Sequence, residues 1–309
     1  MTSPDSAGVA PQATVVIVTK NRRDDLRRAL ASVLAPRGVV LEILVFDDAS
    51  TDDTPEMVQS EFPQARLHAA QVSTGHIVHR NRGVQMSAAP IVVIIDDDAA
   101  FEAPDTIATT LGEFDKPCIG AVAIPFINTH EDFVRQCAPD NSRVWVAHKF
   151  IGAAHALRRD AFVAVGGYRT ELVHFGEEAD FCARLLASGY VTRLGLGTPA
   201  RHFLSPIRNQ TWERYYAARA GIVTSYMNQP ALLVPPTLAA WTLRELALIA
   251  KHGNPMATLR GIAGGYRDII RHAGKRHALP WRVHQTLRQL KKRGAVPLDE
   301  VGNALPLVQ

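Results

Sequence analysis

Two hydrophobic rhythms alternate along the first two thirds of the chain. Residues 13–19 (ATVVIVT) and 91–95 (IVVII) are apolar runs without polar alternation, which predicts strands buried on both faces. Over 24–34 the apolar residues Leu26, Leu30, Val33 and Leu34 share one helical face, with Asn21 to Asp25 supplying caps and first-turn acids. The same reading predicts strands at 39–46, 65–69, 119–124, 150–157 and 190–196. It predicts helices from about 54 to 62 and over 75–87, 104–113, 159–165 and 178–186. Strands alternating with helices of this length imply βαβ units and a parallel sheet. Residues 126–148 follow neither rhythm and are expected to form an irregular loop over the functional site. From 210 onward the pattern is helical, over 210–228, 237–251, 255–272 and 281–293.

Acids gather where two strands end. The strand at 39–46 runs into Asp47-Asp48-Ala49-Ser50-Thr51-Asp52-Asp53-Thr54, and that at 91–95 into Asp96-Asp97-Asp98. Three adjacent carboxylates repel one another and form strands poorly. An acidic turn capping the next helix is one account. A divalent cation is the other, because Mg²⁺ or Mn²⁺ takes one or two carboxylates and fills its shell with water and substrate phosphates. Open α/β sheets place ligands at the carboxyl ends of their strands.

Composition narrows the class. At 309 residues, 47% hydrophobic and 21% charged, the chain has the make-up of a soluble globular protein with a sizeable core. Cys118, Cys137 and Cys182 show no CxxC or zinc spacing, which suggests a reducing compartment without a disulfide framework. The first eleven residues hold no Lys, Arg or apolar run, so no signal peptide is expected. The nearest approach to a membrane span, 231–243, is short and interrupted by Pro235 and Pro236. A cytoplasmic location follows as the expectation. The net charge of +4 conceals a basic stretch, 251–293, with eleven Lys or Arg against the single acid Asp268. Such a stretch suits a phosphorylated substrate or peripheral contact with an anionic membrane. Nucleic acid is not expected, since Tyr266 and Trp281 are its only large aromatics and no recognised motif is present.

A series of short elements, in order, resembles family 2 glycosyltransferases. Val16-Ile17-Val18-Thr19-Lys20-Asn21-Arg22 resembles the opening nucleotide loop, with Lys20 replacing the usual Tyr, and Phe46-Asp47-Asp48-Ala49-Ser50-Thr51-Asp52 the VDDGSTD element. Arg80-Asn81-Arg82-Gly83 resembles ARNxG, and Asp96-Asp97-Asp98 the DxD motif. Gly152-Ala153-Ala154, Gly166-Gly167-Tyr168 and Gly176-Glu177-Glu178-Ala179-Asp180 resemble the GxA, GGF and EDxD elements of the acceptor half. His202, followed by Ser205, resembles a late metal-side His, and Tyr215-Tyr216-Ala217-Ala218-Arg219-Ala220 the YYxxRN helix.

The resemblance implies an α/β, GT-A (Rossmann-like) fold: a mixed, mainly parallel sheet flanked by helices, with a C-terminal helical extension. It divides the chain into a flexible N-terminus (1–12), a nucleotide-sugar-binding half (13–115), an acceptor-binding half (116–208) and a basic, mainly helical extension (209–309). It implies an inverting, non-processive transfer from a nucleotide-diphosphate sugar, UDP-sugar first, to a glycan, lipid-linked or small-molecule acceptor. Thr19, Asn21, Arg22, Asp47, Asp48, Arg80, Asp96, Asp97, Gly152 and Ala153 would bind the donor. Asp98, Asp96 and His202 would hold Mg²⁺ or Mn²⁺. Glu178 aligns with the family's base, an Asp, and its longer side chain leaves Glu177 and Asp180 as alternatives. A sugar nucleotidyltransferase would show a glycine-rich loop after the first strand, where this chain has Thr19-Lys20-Asn21-Arg22-Arg23. A non-catalytic nucleotide-sugar-binding protein would not need the Glu177–Glu178 pair.

Overall fold

The computed structural model describes residues 10–35, 38–204, 209–252 and 254–301. Residues 1–9 of the expected N-terminal segment and Ser205 of the late His element lie outside these.

The α/β part opens with β1 (Ala13–Thr19), α1 (Arg23–Leu34), β2 (Leu41–Asp47), α2 (Thr54–Glu61), β3 (Arg66–Ala69), α3 (His76–Met86) and β4 (Ile91–Ile95). It continues through β5 (Ala99–Phe101), α4 (Thr106–Gly112), β6 (Ile119–Ala123), β7 (Phe126–Asn128), β8 (Trp145–Ala147) and β9 (Ala154–Arg158). Then come α5 (Arg159–Ala164), α6 (Glu177–Ala187), β10 (Val191–Leu194) and β11 (Ala200–His202). Helices α7 (Gln210–Asn228), α8 (Val234–His252), α9 (Pro255–Arg271) and α10 (Trp281–Arg293) form the extension, followed by β12 (Val296–Pro297) and α11 (Leu298–Val301).

One sheet holds nine strands in the order β12-β8-β10-β6-β9-β4-β1-β2-β3. β3, β2, β1 and β4 run parallel, with the unbroken apolar runs of β1 and β4 at the buried centre. β9 lies antiparallel between β4 and β6, so the sheet is mixed. Alternate residues of β1 feed two cores: Val15 and Ile17 meet Leu26 and Leu30 of α1, and Val16 packs with Phe46 and Val84. On this second face α3 lies close to β1. A Cβ at Gly83 would stand 2.6 Å from Val16 Cγ1 and 3.1 Å from Phe46 Cε2.

Two expectations need correction. The stretch 126–148 is not wholly irregular, because it contains β7 and β8, each of three residues. β7 joins β5 and β11 in a separate three-stranded sheet, order β5-β11-β7. Strands this short show no period and take their existence from their partners. The second correction concerns Pro235 and Pro236. They fall in the first turn of α8, where a missing N–H breaks no helical hydrogen bond, so the helix runs through to His252. By length and composition alone, Ala231–Lys251 could cross a membrane; its mean hydropathy is 1.3 and 6% of it is buried.

The extension is anchored by a buried pair. Arg219 of α7 donates through Nε to Asp268 Oδ2 at 2.6 Å and through Nη1 to the Leu172 carbonyl at 2.6 Å. The one acid of the basic stretch is thereby withdrawn from the surface. Gly83→Ala is expected to force α3 off β1 and cost about 1–3 kcal/mol. That cost should read as a lower urea midpoint at unchanged m-value.

Candidate active site

β4 ends at Ile95 inside the sheet, so Asp96, Asp97 and Asp98 emerge at its carboxyl edge. The β4–β9 register pairs Ile95 with Ala154, which brings Gly152 and Ala153 alongside, and the Asp96 N–H donates to the Ala153 carbonyl at 3.0 Å. The small sheet delivers His202. β11 places it opposite Ala99 on one side and Asn128 on the other, and the Phe203 N–H donates to the Asp98 carbonyl at 2.7 Å. His202 Nε2 lies 3.2 Å from Asp98 Oδ1, and Nδ1 lies 2.8 Å from Asn128 Oδ1. The Nδ1 contact with Asn128 fixes the ring so that Nε2 faces the acids. Asn128 is itself held by donating to Glu131 Oε2 at 2.8 Å.

One ligand atom each from Asp96, Asp98 and His202 lies within 4.8 Å of the others. Two carboxylates and an oriented imidazole fit a divalent ion such as Mn²⁺, and the Asn128 contact is the kind of support metal-bound histidines receive. Arg22 donates to Asp98 Oδ2 at 2.7 Å and stands 3.7 Å from Asp97 Oδ1. Burial opposes ionisation of Asp98, but His202 and Arg22 outweigh it and hold its pKa below the usual carboxylate range. Asp97, beside buried Thr19, is pushed up to about 7 by burial despite Arg22.

A second cluster forms around Arg80. Its guanidinium contacts Asp96 Oδ1 closely and lies 4.0 Å from Glu177 Oε1. Gly152 makes room for this meeting: a Cβ there would be 2.6 Å from Glu178 Oε1 and 3.4 Å from Arg80 Nη1. Glu177 Oε1 is 2.9 Å from His76 Nε2, while its Oε2 is buried without a hydrogen-bond partner among the described residues. Burial and the Arg80 charge push His76 down to about 4, so near neutral pH it is an uncharged donor to Glu177. Burial and the neighbouring Glu177 raise Glu178, and burial raises Glu177. A carboxylate with a raised pKa suits a base working near neutral pH.

Asp180 does not join them. It is 1% exposed, and its oxygens accept from Arg169 Nη1, Arg184 Nε and Asn228 Nδ2, each at 2.9 Å. Those contacts bind α6 to its surroundings. Asp48 is similarly occupied. It accepts from Ser73 Oγ at 2.6 Å, from the N–H groups of Thr74 at 2.7 Å and Gly75 at 3.2 Å, and faces His79 Nε2 at 2.9 Å. Burial opposes its ionisation, but these hydrogen bonds outweigh it and lower its pKa. In this arrangement its carboxylate organises the approach to α3, and its acceptor capacity is used within the protein.

Asp47 accepts from the Ser50 N–H and hydroxyl. Ser50 Oγ in turn accepts from the Asn21 N–H at 2.8 Å, and Asn21 Oδ1 accepts from the Thr51 N–H at 2.7 Å. The loops after β1 and β2 are thus stitched together, beside a cavity of about 660 Å³ whose lining includes Lys20, Asn21 and Arg22. Sequence reasoning missed His76, Asn128 and Glu131. His76 had a signal, standing one helical turn before Arg80 on the same face; Asn128 had none, because its three-residue strand has no period.

The sheet and cleft are those of a GT-A glycosyltransferase, and solved structures agree. The mannosyltransferase PcManGT from Pyrobaculum calidifontis, in complex with GDP-Man and Mn²⁺, superposes with a TM-score of 0.56 at 23% identity, over 94% of this chain and 81% of that one. S. aureus TarS in complex with UDP-GlcNAc gives 0.60 at 13% identity, over 91% and 88%. Residues 14–170 match the family described as Glycosyl transferase family 2, and the chain belongs to that family. The succinoglycan biosynthesis protein ExoU of Rhizobium meliloti is 28% identical over 206 residues, 60% of this chain and 59% of ExoU. This chain therefore spans about three fifths of that relative.

Asn128→Ala should leave the fold intact and lower Mn²⁺ affinity by about 10–100-fold, measured by titration calorimetry, because His202 would lose its orienting partner.

Proposed function

We propose that the chain transfers a glycosyl group from a nucleotide-diphosphate sugar to an acceptor hydroxyl, with inversion and one sugar per encounter. One observation carries this reading: Asp96, Asp98 and His202 share an edge of the sheet with Arg80, Glu177 and Glu178. The donors named with PcManGT and TarS support the donor class and include both GDP- and UDP-sugars. UDP-sugar is the first donor to test and GDP-sugar the second.

Glu178 takes the proton from the acceptor hydroxyl. The freed oxygen attacks the anomeric carbon on the face opposite the diphosphate, and the carbon–oxygen bond to phosphate breaks with both electrons leaving on the diphosphate. Arg80 has the planar fork to pair with that diphosphate. A bound Mn²⁺ or Mg²⁺ at Asp96, Asp98 and His202 would supply charge stabilisation for the leaving group. Glu177, held by His76, positions the acceptor. Thr19, Asn21, Arg22 and Asp97 border the donor, with Gly152 and Ala153 beneath it; Asp47 and Asp48 shape its loops. The basic stretch 251–293 and the exposed α8 support a cytoplasmic enzyme resting on an anionic membrane face, where a lipid-linked acceptor would lie.

A thermal-shift screen of UDP- and GDP-sugars with Mn²⁺ should raise the melting temperature with at least one donor, and Asp98→Asn should remove the metal-dependent part. Silence from every donor in wild type would reject the reading. Glu178→Gln should retain the donor shift and lose about 10²–10⁴-fold in transfer. Because the raised Glu178 pKa must be passed before the base is ionised, the wild-type rate should climb with pH along a limb displaced above the usual glutamate value of about 4.3. Full transfer by Glu178→Gln would disprove the base assignment.

A further inference from the structure

Beside the catalytic acids, the extension encloses another cavity, of about 470 Å³. Phe175 and Gly176, just before Glu177, contribute to its lining, as do Trp241 and Arg244 of α8. A more open groove of about 460 Å³ shares Trp241 and Arg244, and its lining also includes Leu233, Pro236 and Ala240. The Arg244 guanidinium covers the Trp241 ring at 4.3 Å, where the two spaces meet. One continuous surface therefore leads from the exposed apolar helix to the loop that carries Glu177 and Glu178.

The inner cavity has more positive charge than its acids can balance. Asp180 is held between Arg169 and Arg184, and Glu245 between Arg214 and Arg244. Lys149 and Lys291 also line the cavity, and no ion pair neutralises either among the described residues. His148 lines the same cavity, and its buried Nδ1 has no hydrogen-bond partner among the described residues. Partial burial and the Lys291 and Lys149 charges push His148 down to about 4, so both ammonium groups act on one spot. Lys149 also acts on Glu177 and Glu178, and Gly176, directly before them, lines the same cavity as both lysines. Unpaired like charges in a partly enclosed space are stabilised by an anion, and the adjoining wall is apolar.

We infer that cavity and groove together receive a lipid phosphate acceptor, its phosphate between Lys149 and Lys291 and its chain along Leu233, Pro236 and Ala240. A short glycan on that phosphate would reach Glu178 past Gly176. The transfer step rests on the function proposed above; the binding does not.

Calorimetry of the full chain in EDTA tests the binding, with farnesyl phosphate, inorganic phosphate and farnesol as probes. EDTA keeps divalent ions from recruiting phosphate to the donor site. Farnesyl phosphate should bind at least tenfold more tightly than either other probe. Lys149→Gln/Lys291→Gln should weaken it at least tenfold while leaving the nucleotide-sugar thermal shift unchanged, and Lys291→Gln alone provides the check should the double variant fold poorly. Trp241→Ala should weaken farnesyl phosphate and leave inorganic phosphate unaffected. Equal binding of inorganic and farnesyl phosphate would point to a free sugar phosphate and overturn the lipid assignment. Equal binding by farnesol, or by the lysine variants and wild type, would overturn the cationic site. A missing donor shift alongside normal farnesyl phosphate binding would count against the transfer reaction and not against this site.

Discussion

The candidate site depends on one buried guanidinium. Arg80 is 5% exposed and reaches Asp96 from β4, while Glu177 and Glu178 arrive on α6. Burial works against its charge, but Asp96, Tyr168, Glu177 and Glu178 together more than compensate and keep Arg80 protonated. Without it, three carboxylates from two elements would share a poorly hydrated space. A single positive charge does not balance three acids, and burial together with the neighbouring Glu177 raises the pKa of Glu178. The close packing of α3 on β1 at Gly83 serves the same end, because it carries Arg80 down to the carboxyl edge of the sheet.

Around this charge the protein holds its remaining groups by backbone register. His202 faces Asp98 because β11 runs between β5 and β7, and the same register supplies Asn128 to orient the imidazole. Strain gathers just before the acids of α6. Val173, Phe175 and Gly176 have φ of 64°, 65° and 84°, a region that β-branched Val173 in particular disfavours. The loop leading into Glu177 and Glu178 is therefore over-determined by its surroundings and not by its own preferences.

The helical extension is tied to the chain around α6 rather than trailing from it. Arg219 joins α7 to α9 through Asp268 and to the chain before α6 through the Leu172 carbonyl. α8, which shares walls with two cavities, is left with its apolar surface largely outside. Basic and apolar groups thus share the lining of these cavities, a combination that suits an anionic amphiphile.

Much of the donor half was legible in the residues because its signals are local. Five apolar residues followed by Asp96-Asp97-Asp98 define a buried strand and its acidic end within eight positions. The Arg80 and Glu177–Glu178 elements were equally plain. What the sequence could not separate were like residues with different partners. Glu177, Glu178 and Asp180 occupy one helical turn, and only the packing of Arg169, Arg184 and Asn228 commits Asp180 to structure. Asp48, read as a base-binding residue, also accepts hydrogen bonds from residues 73–75, contacts that no local signal announced. On its own, then, the sequence determined the buried strands, the acids at their ends and the helical faces, since these follow from periodicity and charge among near neighbours. Tertiary structure alone decided which acid meets which cation, since that choice is made by groups dozens of residues apart.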